Sequence, residues 1–353
     1  MTPSDLESPT MTAGSRDRVL VAGIAGASLG TELVKSLQAA DRYTIFGADI
    51  SPLAYGHWIP GLEQTFTLPR DSYVEALLAT CRDHGIRAVV PGGEGPLGLV
   101  MAAEAEFRAA GIAIAANDAQ VVGACSDKAR FFTRLAELGL PCPRTLVLEP
   151  GDQLPAHGVP YPCVVKPATG TGGSRFVFLA ADEREAALYV SSLAVLGKTV
   201  LVQEYIPHTE GEYTIGVLSV PGTPEPIGAV AMQRLFHAKL SILFETEVGL
   251  ISSGYSQGKI DAFPELTRQA IAIARALGST GPFNVQARVR DGVLLPFEVN
   301  PRFSASTHLR CLAGFNEVDH YLRAVLHGEV LAAQPPVRAG YYLRSLTETV
   351  VPS

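Results

Sequence analysis

Three stretches of this 353-residue chain carry side chains at spacings that suit phosphate and metal chemistry. In the first, an apolar run from Tyr161 ends in Lys166 and opens into Pro167-Ala168-Thr169-Gly170-Thr171-Gly172-Gly173-Ser174. Glycines let the backbone approach phosphate oxygens, and successive N–H groups form an anion-binding concavity. Lys166 adds a full positive charge from the adjoining strand. The order differs from a P-loop, where the lysine follows the last glycine and opens a helix. A Gly-rich hairpin with a solvated lysine is the plain alternative. The second stretch is Phe297-Glu298-Val299-Asn300-Pro301-Arg302. In an extended chain Glu298, Asn300 and Arg302 share a face, with neighbours about 6–7 Å apart. A carboxylate and an amide oxygen suit a hard cation such as Mg²⁺, Arg302 suits phosphate or carboxylate, and Pro301 fits a strand end. Gln286, across an Asp291-Gly292 turn, could add a third oxygen; a polar edge strand is the alternative. In the third stretch, Gln203-Glu204-Tyr205-Ile206 leads through a proline-broken linker to Glu212. Such a linker can offer backbone groups to an adenine and a carboxylate to a ribose, although exposed glutamates would look the same.

A fourth cluster, Gly23 through Gly26 to Gly30, follows a strand and opens a helix. Its spacing is GxxGxxxG, not the GxGxxG of a dinucleotide site, although Asp49 lies where a ribose acid would sit. A tight turn with close helix–sheet packing outweighs cofactor binding there. The five cysteines form no CxxC pair and are odd in number, against both structural zinc and a disulfide framework. Each has apolar neighbours and reads as a small buried hydrophobe.

These residues need a scaffold, and composition says one is available. Hydrophobic residues are 47% and charged residues 18% of the chain, enough apolar surface to exclude a mostly disordered protein. A net charge of −7 argues against sequence-independent nucleic-acid binding. Residues 1–16 read as a disordered polar tail, with no charged-then-apolar leader and no 18-residue apolar run, so a cytoplasmic, membrane-free protein is expected. From Val19 to about Asn117 strands and helices alternate, which predicts a parallel sheet with right-handed crossovers. A single helix is expected over Val100–Ala110. Beyond residue 118 helices are expected over Lys128–Gly139 and Leu266–Leu277. Strands are expected at Cys163–Lys166, Phe176–Leu179, Val200–Tyr205, Glu212–Leu218, Ile227–Met232, Phe283–Val289 and Val293–Val299. That is an antiparallel α+β pattern with few helices.

In this order the stretches resemble the ATP-grasp superfamily, most closely its carbamoyl phosphate synthetase large-chain-like branch, over roughly residues 17–330. Asp127-Lys128 opening a helix, Lys166 with its glycines, Gln203-Glu204 through Glu212, and Asn284-Val285-Gln286 with Glu298–Arg302 carry the likeness. It implies a Rossmann-like domain at 17–117 and an ATP-grasp domain at 118–330, two α+β subdomains enclosing ATP. A lid subdomain falls at about 141–205, and 331–353 is a C-terminal extension. Lys128 and Lys166 would contact phosphates beneath a lid formed by Gly170, Thr171, Gly172, Gly173 and Ser174. Gln203, Glu204, Tyr205 and Ile206 would line the nucleotide, with Glu204 and Ile206 at the adenine edge, and Glu212 would meet the ribose. Gln286, Glu298 and Asn300 would hold two Mg²⁺, with Mn²⁺ a possible substitute. Arg302 would steady the transferred phosphoryl group. In Pro91–Leu97, a Gly/Pro-rich acidic loop, Glu94 would face the acceptor. Ser252 stands where that branch has a histidine.

The activity so implied is an ATP-dependent carboxylate–amine ligase working through an acyl phosphate, on a small carboxylate such as an amino acid and an amine. Homodimers are frequent in the family. One ATP-grasp unit and no amidotransferase region argue against carbamoyl phosphate synthesis. A carboxylase or kinase of the same fold, a nicotinamide-dependent oxidoreductase using the Gly23–Gly30 turn, and a nucleotide-binding regulator without turnover are the alternatives. Glu94, Arg234, Ser252, Arg302 and Arg310 are candidate substrate contacts, with Arg234 and Arg310 as carboxylate clamps or plain surface arginines.

Overall fold

In the computed structural model, which describes residues 16–26, 28–156, 158–170, 175–236 and 241–351, the chain builds three main sheets. The first comes from β1 (Asp17–Ala22), α1 (Leu29–Ala40), β2 (Tyr43–Asp49), β3 (Gln64–Thr67), α2 (Tyr73–Asp83), β4 (Ala88–Pro91), α3 (Glu94–Ala102), α4 (Glu104–Ala109) and β5 (Ala113–Ile114). Its order is β3-β2-β1-β4-β5 and every pairing is parallel, as the strand–helix alternation predicts. Leu33, Val34 and Leu37 of α1 are fully buried against one face. Each such side chain contributes roughly 1.5–3 kcal/mol. The expected Val100–Ala110 helix is instead two, broken at Ala103, and the first already starts at Glu94. Pro96 is tolerated because it lies in the opening turn, where N–H groups lack helical partners anyway.

The chain continues through α5 (Ala119–Ser126), α6 (Lys128–Glu137), β6 (Thr145–Leu148), β7 (Cys163–Pro167), β8 (Phe178–Ala180), α7 (Glu183–Ala194) and β9 (Val200–Glu204). Asp127 caps α6, accepting from the N–H groups of Ala129 and Arg130. The four strands form an antiparallel sheet, β6-β9-β7-β8. Cys163, Val165, Val200 and Val202 point into a core with α7, while Val164, Lys166 and Gln203 point to the opposite face. Helix α7, absent from the sequence reading, has its N-cap at Asp182, whose side chain accepts from Glu185 N–H. The strand expected from Phe176 starts only at Phe178, because Phe176 adopts a φ of +59°.

The remaining elements are β10 (Glu212–Leu218), β11 (Gly228–Arg234), β12 (Ile242–Thr246), β13 (Gly249–Ser252), β14 (Gly258–Ile260), α8 (Pro264–Ala276), β15 (Pro282–Arg290), β16 (Val293–Asn300), α9 (Thr307–Leu312), α10 (Glu317–His327) and β17 (Gly340–Tyr342). They form a sheet of order β16-β15-β10-β11-β14-β17 beside a β12–β13 hairpin. The 331–353 stretch thus contributes a strand to the main sheet. Asp291-Gly292 makes the β15–β16 turn with φ of +53° and +72°, as expected for such a hairpin. Tyr213, Ile215, Val217, Phe283, Val285, Ala287 and Val289 fill one face's core with α5, α6 and α8. The alternate residues Glu212, Thr214, Asn284, Gln286 and Arg288 are left for the other face, which lines cavities. Among the described residues no helix is long and apolar enough to cross a membrane.

Candidate functional site

A cavity of about 670 Å³, partly open to solvent, lies between the β6–β9 sheet and the six-stranded sheet. Its polar lining includes Lys128, Lys166, Gln203, Glu204, Glu212, Ser252, Gln286, Arg288 and Glu298, and Val164, Val177, Ile206, Ile251 and Pro143 add apolar surface. Such a slot with a few convergent polar groups is what a planar base with a charged tail requires.

Lys166 is 5% exposed and donates to Gln203 Oε1 at 2.9 Å and to the Phe297 carbonyl at 2.8 Å. The second bond depends on a bulge: Gln286 pairs with Glu298 and Ala287 with Pro296, so Phe297 is the extra residue. Burial pulls the Lys166 amine down to about 7; Lys128 lowers it further and Glu298 opposes the shift. On the neighbouring register positions Asn284 faces Asn300, and Thr214 faces Gln286. The oxygen set expected from Gln286, Glu298 and Asn300 is therefore gathered on one sheet face. One carboxylate with amide oxygens fits a hard cation that draws further ligands from phosphate. Among the described residues no cluster of three or more His, Cys, Asp or Glu offers a different metal site.

Glu212 is 1% exposed, with Oε1 3.1 Å from Arg234 Nη1 and Oε2 2.9 Å from Arg288 Nε. Burial would raise its pKa, but the two guanidiniums and a Ser252 hydrogen bond hold it below the usual carboxylate range. Arg288, which sequence reasoning did not single out, also donates to the carbonyls of Ile206 (2.7 Å) and Leu250 (2.8 Å), and it lies over the Tyr205 ring. Period-2 spacing from Asn284 and Gln286 was the available signal. Tyr205 accepts the Leu250 N–H through its hydroxyl, and Glu204 accepts the Arg144 N–H while pairing with Arg290.

Two further spaces meet this cavity at Glu298. A cleft runs past Glu94, Asp127, Lys128, Gly170, Asn300 and Arg302. A larger opening, about 1290 Å³ including solvent, is lined by Ser28, Leu29, Arg234, Ser253–Ser256, Asn284, Glu298, Arg302 and Ser304–Ser306. Arg302 donates to Glu94 Oε1 and Asn300 Oδ1, each at 3.0 Å, and to the Phe303 carbonyl. Glu94 is 53% exposed in its side chain, so the pair sits at the mouth.

Two expected substrate clamps have partners inside the protein. Arg310 is 0% exposed, paired with Glu317 at 2.8 Å and bonded to Ser304, Ser306 and Thr307. It reaches no cavity surface, because its donors are spent inside the core. Arg234 borders the larger cavity, yet its guanidinium is committed to Glu212 and to the Ser253 and Tyr255 carbonyls. Ser252 faces the first cavity and not the second. Thr171, Gly172, Gly173 and Ser174 lie outside the described residues.

The Gly23–Gly30 turn is taken up by packing. A Cβ on Gly30 would stand 1.7 Å from the Gly23 carbonyl oxygen. Asp49 accepts from the Ile24 and Ser51 N–H groups at 2.9 and 3.0 Å, so its carboxylate closes the turn. Burial pushes the thiols of Cys81 and Cys125 up to about 12 and those of Cys163 and Cys311 to about 11, away from nucleophilic use.

A family model described as "ATP-grasp in the biosynthetic pathway with Ter operon" matches residues 197–349. The carbamoyl phosphate synthase large chain of Neisseria meningitidis serogroup A is 27% identical over 241 residues, covering 64% of this chain and 22% of that one. The chain thus spans about a fifth of the length of the curated relatives it matches. Among solved structures, an L-amino acid ligase from Bacillus licheniformis superposes with a TM-score of 0.64 at 16% identity, over 88% of this chain and 74% of that one. An N5-carboxyaminoimidazole ribonucleotide synthetase bound to ADP gives 0.67 at 16% identity, over 92% and 80%. At such identities these two likenesses show the fold.

Proposed function

We propose that this chain, which belongs to the ATP-grasp superfamily, joins a small carboxylate to an amine at the expense of ATP. The observation that carries the reading is the place of Glu298, which among the described residues is the one that lines the cavity between the sheets, the Lys128–Arg302 cleft and the larger opening alike. A phosphoryl group held there would have the nucleotide on one side and an acceptor on the other.

In this reading the backbone of Glu204 to Ile206 edges the adenine, with Val164 and Ile251 as apolar walls. Glu212 lies beneath the ribose and holds Arg288 in place. Lys166 and Lys128 offset phosphate charge. Mg²⁺, held by Gln286, Glu298 and Asn300, would supply further neutralisation of the phosphate oxygens. The substrate carboxylate oxygen bonds to the γ-phosphorus as the bond to ADP breaks. The amine then bonds to the carbonyl carbon of the acyl phosphate, phosphate leaves, and the amine loses its proton. Arg302 steadies the acyl phosphate by charge-assisted hydrogen bonds. Glu94, already paired with Arg302, is placed to meet the acceptor's amine. No Ser or Cys nucleophile is needed. The packed Gly23–Gly30 turn and the occupied Asp49 carboxylate speak against the oxidoreductase alternative.

The test is ADP release with Mg²⁺ and the proteinogenic amino acids supplied in pairs. Acceptor-dependent release, with hydroxylamine trapping an acyl hydroxamate, supports ligation. ADP release that needs bicarbonate and no amine would replace it with the carboxylase reading. Glu298→Gln should cut turnover by roughly 10²–10³-fold, as loss of a charge-organising group does; near-normal turnover would remove Glu298 from the site.

A further inference from the structure

Beside the strand residues that floor it, the larger cavity has three walls outside the sheet: Ser28 and Leu29 at the head of α1, the Ser253–Ser256 turn, and the Ser304–Ser306 turn. Each of two buried arginines pins one of them. Arg234 holds the Ser253 and Tyr255 carbonyls at 2.8 and 3.0 Å, and Arg310 holds the hydroxyls of Ser304 and Ser306, both at 3.0 Å. Arg344, in the C-terminal segment, touches the supports of all three. Its backbone N–H donates to Gln257 Oε1 at 3.3 Å, directly after the Ser253–Ser256 turn. Its Nη2 donates to the Ala305 carbonyl in the middle of the third wall. The same nitrogen is 3.6 Å from Glu32 Oε2, in the first turn of α1. The Arg344 side chain is 12% exposed and Glu32 9%, so these contacts lie behind the cavity.

The delivery of Arg344 is built into the sheet. Strand β17 pairs with β14 so that Tyr342 faces Gly258, which carries the chain back along the Ser256–Gln257 approach. Three residues past Arg344, Thr347 meets the Tyr55 hydroxyl at 3.0 Å, fastening the segment to the parallel-sheet half.

We propose that Arg344 is a positioning residue for the acceptor: it fixes the mutual placement of the three walls and thereby decides which small molecule the cavity holds. The claim rests on the ligase reading for what enters the cavity, but not for the existence of the frame. An always-charged guanidinium is suited to this position, because its Nη2 carries two N–H groups, one for the Ala305 carbonyl and one toward the Glu32 carboxylate. Lysine keeps the charge but replaces the planar guanidinium with a compact ammonium on a different stem.

The experiment compares the wild-type chain with Arg344→Met and Arg344→Lys. For MgADP, calorimetric affinity should stay within about twofold, since the nucleotide cavity shares none of the three supports. With the amino-acid pair that gives the fastest ADP release in the wild type, KM for the acceptor should rise about tenfold or more in Arg344→Met, with kcat changed less, and Arg344→Lys should fall between. An unchanged acceptor KM, or an equal loss of MgADP affinity, overturns the proposal. Hydrogen exchange without any acceptor supplies the independent arm: amides at 28–33 and 304–309, the two walls that the Arg344 side chain touches, should exchange faster in Arg344→Met, and those at 163–166 and 200–204 should not. If no amino-acid pair releases ADP from the wild type, the ligase reading fails while exchange still decides the frame, and identical exchange at 28–33 and 304–309 refutes it. Should Arg344→Met not fold, Glu32→Gln removes the same bridge from the α1 side and is held to the same exchange pattern.

Discussion

Raising the pH from 6 to 9 should weaken nucleotide binding, and Lys166 sets by how much. In the free chain burial holds its amine near 7, so at pH 8 only about one molecule in ten carries the charge a phosphate needs. A bound polyanion favours the ammonium and lifts that pKa back toward the ordinary 10.5. Binding at pH 8 should therefore take up close to one proton, and affinity should fall about tenfold per pH unit above 7, or roughly 1.4 kcal/mol per unit. Isothermal calorimetry with MgADP in two buffers of different ionisation enthalpy reads both quantities, since the proton count is the slope of observed enthalpy against buffer enthalpy. Lys166→Met should bind weakly at every pH and show no proton uptake. A buffer-independent enthalpy at pH 8, or proton uptake surviving in Lys166→Met, would falsify the assignment.

The same shift has a consequence for stability. Between about pH 7 and 10.5 the unfolded chain binds a proton at this lysine that the folded chain does not. Stability from this group therefore rises with pH across that window. Urea unfolding of wild type and Lys166→Met should show a difference that changes over those pH values and is flat below about 6. A constant difference would mean that the amine is charged in the folded chain throughout.

Glu212→Gln leaves two guanidiniums with an uncompensated buried charge and should cost about 3–5 kcal/mol of stability. Because this carboxyl is held below its unfolded pKa, its contribution is present at neutral pH and lost as pH falls through the folded value. Acid unfolding should accordingly be shallower in the variant, and parallel acid limbs would contradict the ion-pair account. Gly30→Ala should lower the melting temperature by several degrees through its clash with the Gly23 carbonyl, with MgADP affinity retained and no stabilisation of the wild type by NADH. Thermal unfolding with each ligand checks both statements.

Local physics made much of this molecule readable in advance. The parallel half announces itself through strand–helix alternation, and the β15–β16 hairpin through Asp291-Gly292. Period-2 spacing then places Glu298 and Asn300 on one face without any knowledge of the fold. Helix α7 was missed because its outward face carries Leu188 among the polar positions, and Leu188 is exposed, which blurs the apolar stripe that marks a surface helix. The bulge at Phe297 was also out of reach. A single extra residue leaves the alternation of Glu298, Asn300 and Arg302 intact and shows itself only in the pairing with β15. It turns the Phe297 carbonyl toward Lys166, and so helps to hold a lysine whose charge the surroundings disfavour.

Arginine roles were the hardest to foresee, and the reason is physical. A guanidinium at a cavity mouth and one sealed in a core have the same side chain and similar neighbours in sequence; what separates them is where the fold places their partners. Arg302 keeps to the mouth because its partners are Glu94, Asn300 and a carbonyl on the cleft itself. Arg310 is withdrawn by Glu317 and three hydroxyls, and Arg234 by Glu212, 22 residues away. Sealing both away is not wasted charge. Where turns bound the cavity no ladder of backbone bonds fixes its shape, and short serine-rich turns would otherwise sample many conformations. Anchoring their carbonyls and hydroxyls to buried cations supplies the missing rigidity, at the desolvation cost that the paired glutamates then offset. That logic predicts a division of labour testable by double-mutant cycles. Arg310→Met with Glu317→Leu should recover much of the stability lost by Arg310→Met alone, since the pair's charges then vanish together. It should leave acceptor-dependent turnover impaired, because Ser304 and Ser306 have lost their anchor. Full recovery of turnover along with stability would show that those serines hold their wall without Arg310.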